Sequence, residues 1–396
     1  MRAIGRRLGG GDQSRILGAI AFGWFLTLGL RFLLPVLLPQ IRDAYAVSNA
    51  TVGVAISVVW MSYGLMQFPA GMLVDRFGAR TLLSSSLALA GVSLGLISVA
   101  PVFSAFLVAC GLFGLATGLF GTSRGIALSR LFTSNPGRAF GITLGAGSIG
   151  SAALPFVGGT LTETVGWRAT VAAATPLFLA MAVGTKLIVP ATTDSDAGST
   201  AFSRRAVTDT LRSLHTDRAI VVSFLGMTLL LFTFQAVTSF LPTYLIQEKG
   251  LTPPEANGLF ALLFLTGAGF QFAGGDAVDR HGTRPVILLI SAVGVLTLAV
   301  LPSVEGLVAL AILIVVLSSR IGVPSVLNPY IIDNIPDAAK GSVWGLLRTT
   351  FFVVGSTGST VVGVLADYEL FDESFYLLAA LTAVATIVLA TLPESE

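Results

Sequence analysis

Three arginines interrupt stretches that otherwise read as continuous hydrocarbon. They are Arg31 in TLGLRFLLPVLLPQ, Arg124 in GLFGTSRGIALSR and Arg320 in VVLSSRIGVPSVLNP. Arginine keeps its charge at physiological pH, and its planar fork of N–H donors matches carboxylate or phosphate. No Asp or Glu falls in the middle of these or the other long apolar stretches; Glu163, Asp276 and Asp333 lie at their ends. Cations without an internal counter-ion make a positive site that attracts anions and repels cations. In lipid each such charge costs about 2.5–3.5 kcal/mol at mid-span, so it faces a cavity and marks a pathway. The competing role for Arg31 is a side chain that stretches to the interface, which its mid-stretch depth disfavours. Arg124 lies nearer one end, and Arg320 could be satisfied by local carbonyls or by Ser318 and Ser319.

A second set of charges repeats. Gly71, Asp75, Arg76, Gly78 and Arg80 in GMLVDRFGAR return as Gly275, Asp279, Arg280, Gly282 and Arg284 in GDAVDRHGTR, a constant offset of 204 residues (Asp75 to Asp279) in a chain of 396. The glycines suit a tight turn. The aspartates can accept hydrogen bonds at a helix N-terminus, where the macrodipole favours anions. The simpler role is topological, since short basic loops stay on one side of a membrane. Gly137–Gly141 aligns with Gly341–Gly345 at the same offset, so the halves are parallel copies related by an axis along the membrane normal. The offset maps Arg31 onto Gln235 and Arg124 onto Asn328, two hydrogen-bonding residues. Tyr63 and Gln67 add further lining candidates.

The elements that position these residues follow from composition. The chain is 54% hydrophobic and 11% charged, with mean hydropathy +0.86, whereas soluble domains carry about 25% charged residues. Spans need roughly 20 apolar residues, and twelve are predicted: 16–39, 50–71, 80–101, 104–131, 139–161, 168–190, 219–246, 256–277, 284–303, 306–332, 340–364 and 373–392. The first is too long for a signal-peptide core and reads as a retained span. The organisation expected is an N-terminal bundle over 1–190, a linker over 191–218 and a C-terminal bundle over 219–396. With both termini inside, only Arg42, Arg168 and Lys249 fall outside, while the other arginines and lysines beyond Arg31, Arg124 and Arg320, Arg348 among them, fall on the cytoplasmic side. That bias predicts cytoplasmic termini.

The loop pattern G-x-x-x-D-R-x-G-x-R, once in each half between the second and third helices, resembles the signature of the major facilitator superfamily. Trp60–Gly71 is similar to the second helix of its organic-anion members, Gly141–Gly159 to its glycine-rich fifth helix, and Gly166-Trp167-Arg168 to a common outer turn. The resemblance implies an all-α membrane protein of twelve helices in two pseudo-symmetric six-helix bundles. Helices 1, 4, 7 and 10 then line a central cavity, and the loop motifs latch the halves. A helix-1 arginine followed by Leu-Pro and Gln-Ile-Arg-Asp resembles the anion–cation symporter and organophosphate exchanger branches, where that arginine holds the substrate's anionic group. This chain departs from the family at Cys110-Gly111, where an early helix-4 arginine is common, and at Leu30, where the symporters often have an acid.

These features predict a secondary transporter in the cell membrane, moving a small organic anion such as a carboxylate by alternating access. The anion would meet Arg31, Arg124, Arg320, Gln235, Asn328, Tyr63 and Gln67. A proton, sodium ion or counter-anion could drive it; no titratable group stands in the cavity, so coupling stays open among exchange, uniport and symport. A neutral or drug-like cargo and a non-transporting receptor are the alternatives. One cysteine and two scattered histidines, His215 and His281, predict no metal site. No cofactor, nucleic acid or catalytic constellation is expected, no ATP-binding G-x-x-x-x-G-K-[ST] loop occurs, and a monomer suffices.

Overall fold

The computed structural model describes residues 10–133, 135–191, 217–336 and 340–393. The predicted linker, 191–218, falls almost wholly outside these residues, as do Arg2, Arg6, Arg7, Arg204, Arg205, Arg212 and His215. The described residues form helices and turns, with no strand among them. A chain this apolar must satisfy its backbone within each segment, and in lipid the helix does that.

The helices in order are α1 (Gly10–Tyr45), α2 (Asn49–Phe77), α3 (Ala79–Val99) and α4 (Phe103–Leu131). The helical stretch Pro136–Ile188 is 53 residues long, about 80 Å at 1.5 Å per residue, far more than a bilayer's core of about 30 Å. It breaks at Gly166 (φ 80°, ψ 158°) into α5 (136–165) and α6 (167–188). A positive φ costs glycine least. Thr162 donates to the Thr170 hydroxyl across the bend at 3.0 Å. Next come α7 (Arg218–Gln247), α8 (Pro253–His281) and α9 (Thr283–Val300). α10 (Leu307–Asp333), α11 (Lys340–Asp367) and α12 (Phe371–Ala390) follow. Twelve spans thus result among the described residues. Most of the helices run past the apolar cores marked by sequence, because caps and glycines, not hydropathy, end them. Ser48 caps α2, Asp217 caps α7, and Thr252 with Glu255 forms a capping box on α8.

The loop motifs behave alike. Gly78 (φ 79°) alone separates α2 from α3, and Gly282 (φ 80°) separates α8 from α9. Each donates its N–H to the residue four back, Val74 or Val278, at 2.8 Å. The membrane side bearing both is the motif face; the other is the far face.

Small residues let backbones touch. A Cβ on Gly150 of α5 would sit 2.2 Å from the Phe25 carbonyl of α1, and one on Gly114 of α4 2.3 Å from that of Val59 of α2. α6 packs on α3, with Phe178 against Gly91. α1–α6 form one bundle and α7–α12 the other. The bundles meet through α2 with α11 and α5 with α8, with smaller contact between α1 and α7. Toward the far face this seam is tight. The Asp367 carboxylate accepts from the Asn49 and Ala50 N–H groups at 2.7 and 2.8 Å, and Ser57 donates to the Ser356 carbonyl at 2.7 Å. A Cβ on Gly53 would lie 2.7 Å from the Ser359 carbonyl, and one on Gly363 2.5 Å from that of Asn49.

Candidate functional site

Between the bundles lies a cavity of about 280 Å³. Arg31, Arg124, Tyr63, Trp24 and Trp60 line it from the first bundle; Gln235, Asn328, Arg320, Arg348 and Phe352 line it from the second. Four arginines and no carboxylate face it. Toward the far face a set of rings closes it: Phe32 lies 4.4 Å from Phe264 and 5.5 Å from Trp60, centroid to centroid. Ser148, Gln271 and Pro324 also line it.

Arg31 sits where α1 crosses the middle of the bundle and is 1% exposed. Its Nε donates to the Thr27 carbonyl at 3.3 Å, one turn back on the same helix. Its guanidinium carbon lies 4.1 Å from the Tyr63 ring centroid, 4.6 Å from Trp60 and 5.4 Å from Trp24. Aromatic faces attract a cation without consuming its N–H donors, and Nη1 and Nη2 have no protein partner. Arg124 is built the same way. It is buried, its carbon lies 4.1 Å from the Trp24 centroid, and Nε and Nη1 have no protein partner. One indole is thus shared by two guanidinium groups, each with two nitrogens that have no protein partner.

Arg320 differs. It lies in the 3-10 stretch Ser318–Gly322 that interrupts α10. Pro324 has no N–H to offer the Arg320 carbonyl four residues back, which accepts from Val323 instead. The turn tightens, and the guanidinium meets Thr233 and the Leu230 carbonyl of α7 and Thr382 of α12, the last two at 3.4 Å. It touches the cavity, yet its donors bind its own bundle together.

The repeat is visible in three dimensions. Gln235 and Asn328, the counterparts of Arg31 and Arg124, line the same cavity from the second bundle. Both polar atoms of Gln235, and Oδ1 of Asn328, are buried without a protein partner. Tyr63 lines the cavity as expected. Gln67 does not: its Nε2 donates to the Tyr63 carbonyl at 3.3 Å, and its Oε1 accepts from Thr122 at 3.2 Å, knitting α2 to α4. The sequence reading counted Arg348 among the cytoplasmic-side charges and overlooked Trp24 and Phe352. Arg348 and Phe352 stand at i and i+4, one above the other on one helix face, with the guanidinium carbon 5.9 Å from the ring. That spacing was the available signal.

Asp75, Arg280 and Arg284 of the loop motifs find partners within their own bundles. Asp75 accepts from Arg130 of α4 at 2.9 Å. Arg280 pairs with Asp276 at 2.9 Å, and Arg284 donates to the Ala390 carbonyl at 2.7 Å. Arg76 lies over its neighbour Phe77. Gly71 and Gly275 have open space where a Cβ would stand, so neither is required by packing here. Among the described residues no group of three or more His, Cys, Asp or Glu could hold a metal ion.

The Major Facilitator Superfamily model matches residues 20–359. A nitrite extrusion protein of Bacillus subtilis (strain 168) is 25% identical over 356 residues, covering 86% of this chain and 88% of that protein. A nitrate/nitrite antiporter described as probable, NarK1 of Thermus thermophilus, is 25% identical over 312 residues, 76% of this chain and 69% of that one. An L-galactonate transporter of Escherichia coli (strain K12), also described as probable, is 24% identical over 261 residues, 62% of this chain and 58% of its own. Among solved structures, a bacterial homolog of the human lysosomal transporter Spinster, inward-facing and unoccupied, superposes with a TM-score of 0.81 at 14% identity, covering 97% of both chains. A mutant of the nucleoside transporter NupG does so with a TM-score of 0.81 at 14% identity, over 96% of this chain and 99% of that one.

Proposed function

This chain belongs to the Major Facilitator Superfamily, a multi-pass membrane transporter and not an enzyme, and from that premise we propose that it carries a small organic anion through the central cavity. The observation that carries the reading is the pair Arg31 and Arg124. Both are buried, both rest on aromatic rings, and both keep N–H groups without a protein partner where no carboxylate lines the space. An unsatisfied buried donor costs about 1–3 kcal/mol, more when charged. A carboxylate placed between the two forks relieves that cost through charge-assisted, bidentate hydrogen bonds. Tyr63, Gln235 and Asn328 orient the rest of the molecule by hydrogen bonding.

Transport follows from where the anion sits. The site lies on the seam between the bundles, closed toward the far face by the Phe32 cluster and the Asp367 contacts. Rocking the bundles about the bound anion would open the far face and close the motif face, with Asp75 leaving Arg130 to cap the first turn of α11. We read the motif face and both termini as cytoplasmic in a cell-membrane protein, as the basic loops favour; on that reading an arrangement closed toward the far face is the inward-facing one.

The relatives named for nitrite and nitrate favour a second reading, a small inorganic oxyanion held by the same arginines. One experiment separates the readings. Melting of the purified protein is followed with galactonate, other sugar acids, nitrite, nitrate, neutral sugars and cationic dyes, beside Arg31→Gln. A ligand at 100 times its Kd stabilises by about 2.7 kcal/mol. Stabilisation by carboxylates and its loss in Arg31→Gln is expected. Stabilisation by nitrite or nitrate alone selects the second reading, and stabilisation by neutral or cationic compounds, untouched in Arg31→Gln, overturns both.

A further inference from the structure

The two arginines with unspent donors both belong to the first bundle. A site that moves two bundles together needs a grip on each, and in the second bundle Arg320 is already engaged by Thr233, Leu230 and Thr382. Arg348 of α11 is the remaining cation on the cavity wall. It is half-buried, and its guanidinium lies over Phe352 one turn further on. Phe352 crosses the seam: its ring stacks on Trp60 at 6.1 Å with an interplanar angle of 2°, and meets Tyr63 edge-on at 5.0 Å. Those are two of the rings that cradle Arg31. One aromatic stack therefore runs through the seam, with Arg31 on its first-bundle end and Arg348 on its second-bundle end.

We infer that Arg348 is the anion contact contributed by the second bundle, so that the cargo is held between Arg31 and Arg124 on one side and Arg348 on the other. The inference rests on the anion reading above and adds the residue that ties binding to movement. Two guanidinium groups facing one cavity with no acid between them repel, which holds the motif-face mouth apart. An anion between them reverses the sign and draws α11 inward. α11 is suited to pass this on, since its other end carries Asp367 on the first turn of α2. Arginine suits the position because its flat fork stacks on Phe352 and still donates at its edge.

The test uses the full-length protein in detergent, with nitrite, nitrate, galactonate and inorganic phosphate as probes and affinity read from thermal shift. A hydrogen bond to a charged group corresponds to a tenfold to hundredfold change in affinity. Arg348→Gln is expected to weaken the best probe by about that factor, and Arg348→Lys, which keeps charge and loses the fork, by less. A second readout follows the mouth. Ser148→Cys on the cavity wall is labelled by an impermeant maleimide, against a background in which Cys110 is buried. The probe should slow labelling when Arg348 is present and not in Arg348→Gln at equal occupancy. Loss of affinity in Arg31→Gln with none in Arg348→Gln, or equal protection in both Arg348 backgrounds, overturns the role of Arg348 and leaves the anion reading standing. Stabilisation by none of the four probes overturns both.

Discussion

Asp367 offers the sharpest perturbation. Its two carboxylate oxygens take one N–H each, from Asn49 and Ala50, at 2.7 and 2.8 Å. These are the first amides of α2, which have no partner within the helix. Ser48 already caps that helix locally, its hydroxyl accepting from Thr51 at 3.2 Å, so Asp367 adds a cap that comes from the other bundle. Losing an N-cap side chain costs about 0.5–2 kcal/mol, and a carboxylate at a helix N-terminus gains typically 0.3–1 kcal/mol from the dipole. The site is solvent-exposed, which places Asp367→Ala near the low end, about 1 kcal/mol, or roughly a fivefold shift toward the state open on the far face. Spin labels at Val102 and Val308, exposed residues of the two bundles toward the far face, would report it in a Cys110→Ala background. Asp367→Ala should add a longer-distance population, and the anion-free motif face should become less accessible in step. Thr252→Ala is the control: it uncaps the N-terminus of α8, where Glu255 is its partner, and leaves the Asp367 contact in place. Identical distance distributions in wild type and Asp367→Ala, or the same shift in Thr252→Ala, would refute the reasoning.

Other outcomes follow from the same contacts. Arg320→Gln should lower the melting temperature, because Thr233, Thr382 and the Leu230 carbonyl lose their donor at about 1–3 kcal/mol. Arg31→Gln should instead leave stability nearly intact and remove anion stabilisation; a reversed pattern in melting curves would exchange the two roles. Gly150→Ala forces a Cβ to 2.2 Å from a backbone carbonyl, and overpacking of this kind costs about 1–3 kcal/mol, read as reduced melting temperature. Gly145→Ala, on the same helix with open space around it, should be neutral. Gln67→Ala should leave anion affinity unchanged in the thermal-shift assay, since its amide is spent between α2 and α4.

The amino-acid sequence by itself determined the spans, their number and the duplication. Apolar runs of membrane length leave a backbone no alternative to helix, and the offset between Asp75 and Asp279 marks the repeat without any structure. It also determined that cations are buried: Arg31, Arg124 and Arg320 lie too deep in apolar runs to be elsewhere. What those cations do was decided by tertiary structure. A helix that is apolar all round carries no amphipathic stripe to say which face meets a cavity, so Gln67 and Tyr63, one turn apart on α2, were indistinguishable until α4 brought Thr122 to one and α1 brought Arg31 to the other. Arg320 and Arg31 read alike in sequence. They differ because α7 and α12 set Thr233 and Thr382 beside the first, while aromatic faces surround the second. Arg348 lies close enough to a loop for the charge rule to claim it, and Asp367 is the last residue of α11. Each gains its place from a partner several hundred residues away or across the seam, Ala50 for Asp367 and the Trp60 stack for Arg348. Local spacing cannot encode such distances; close packing of two bundles fixes them.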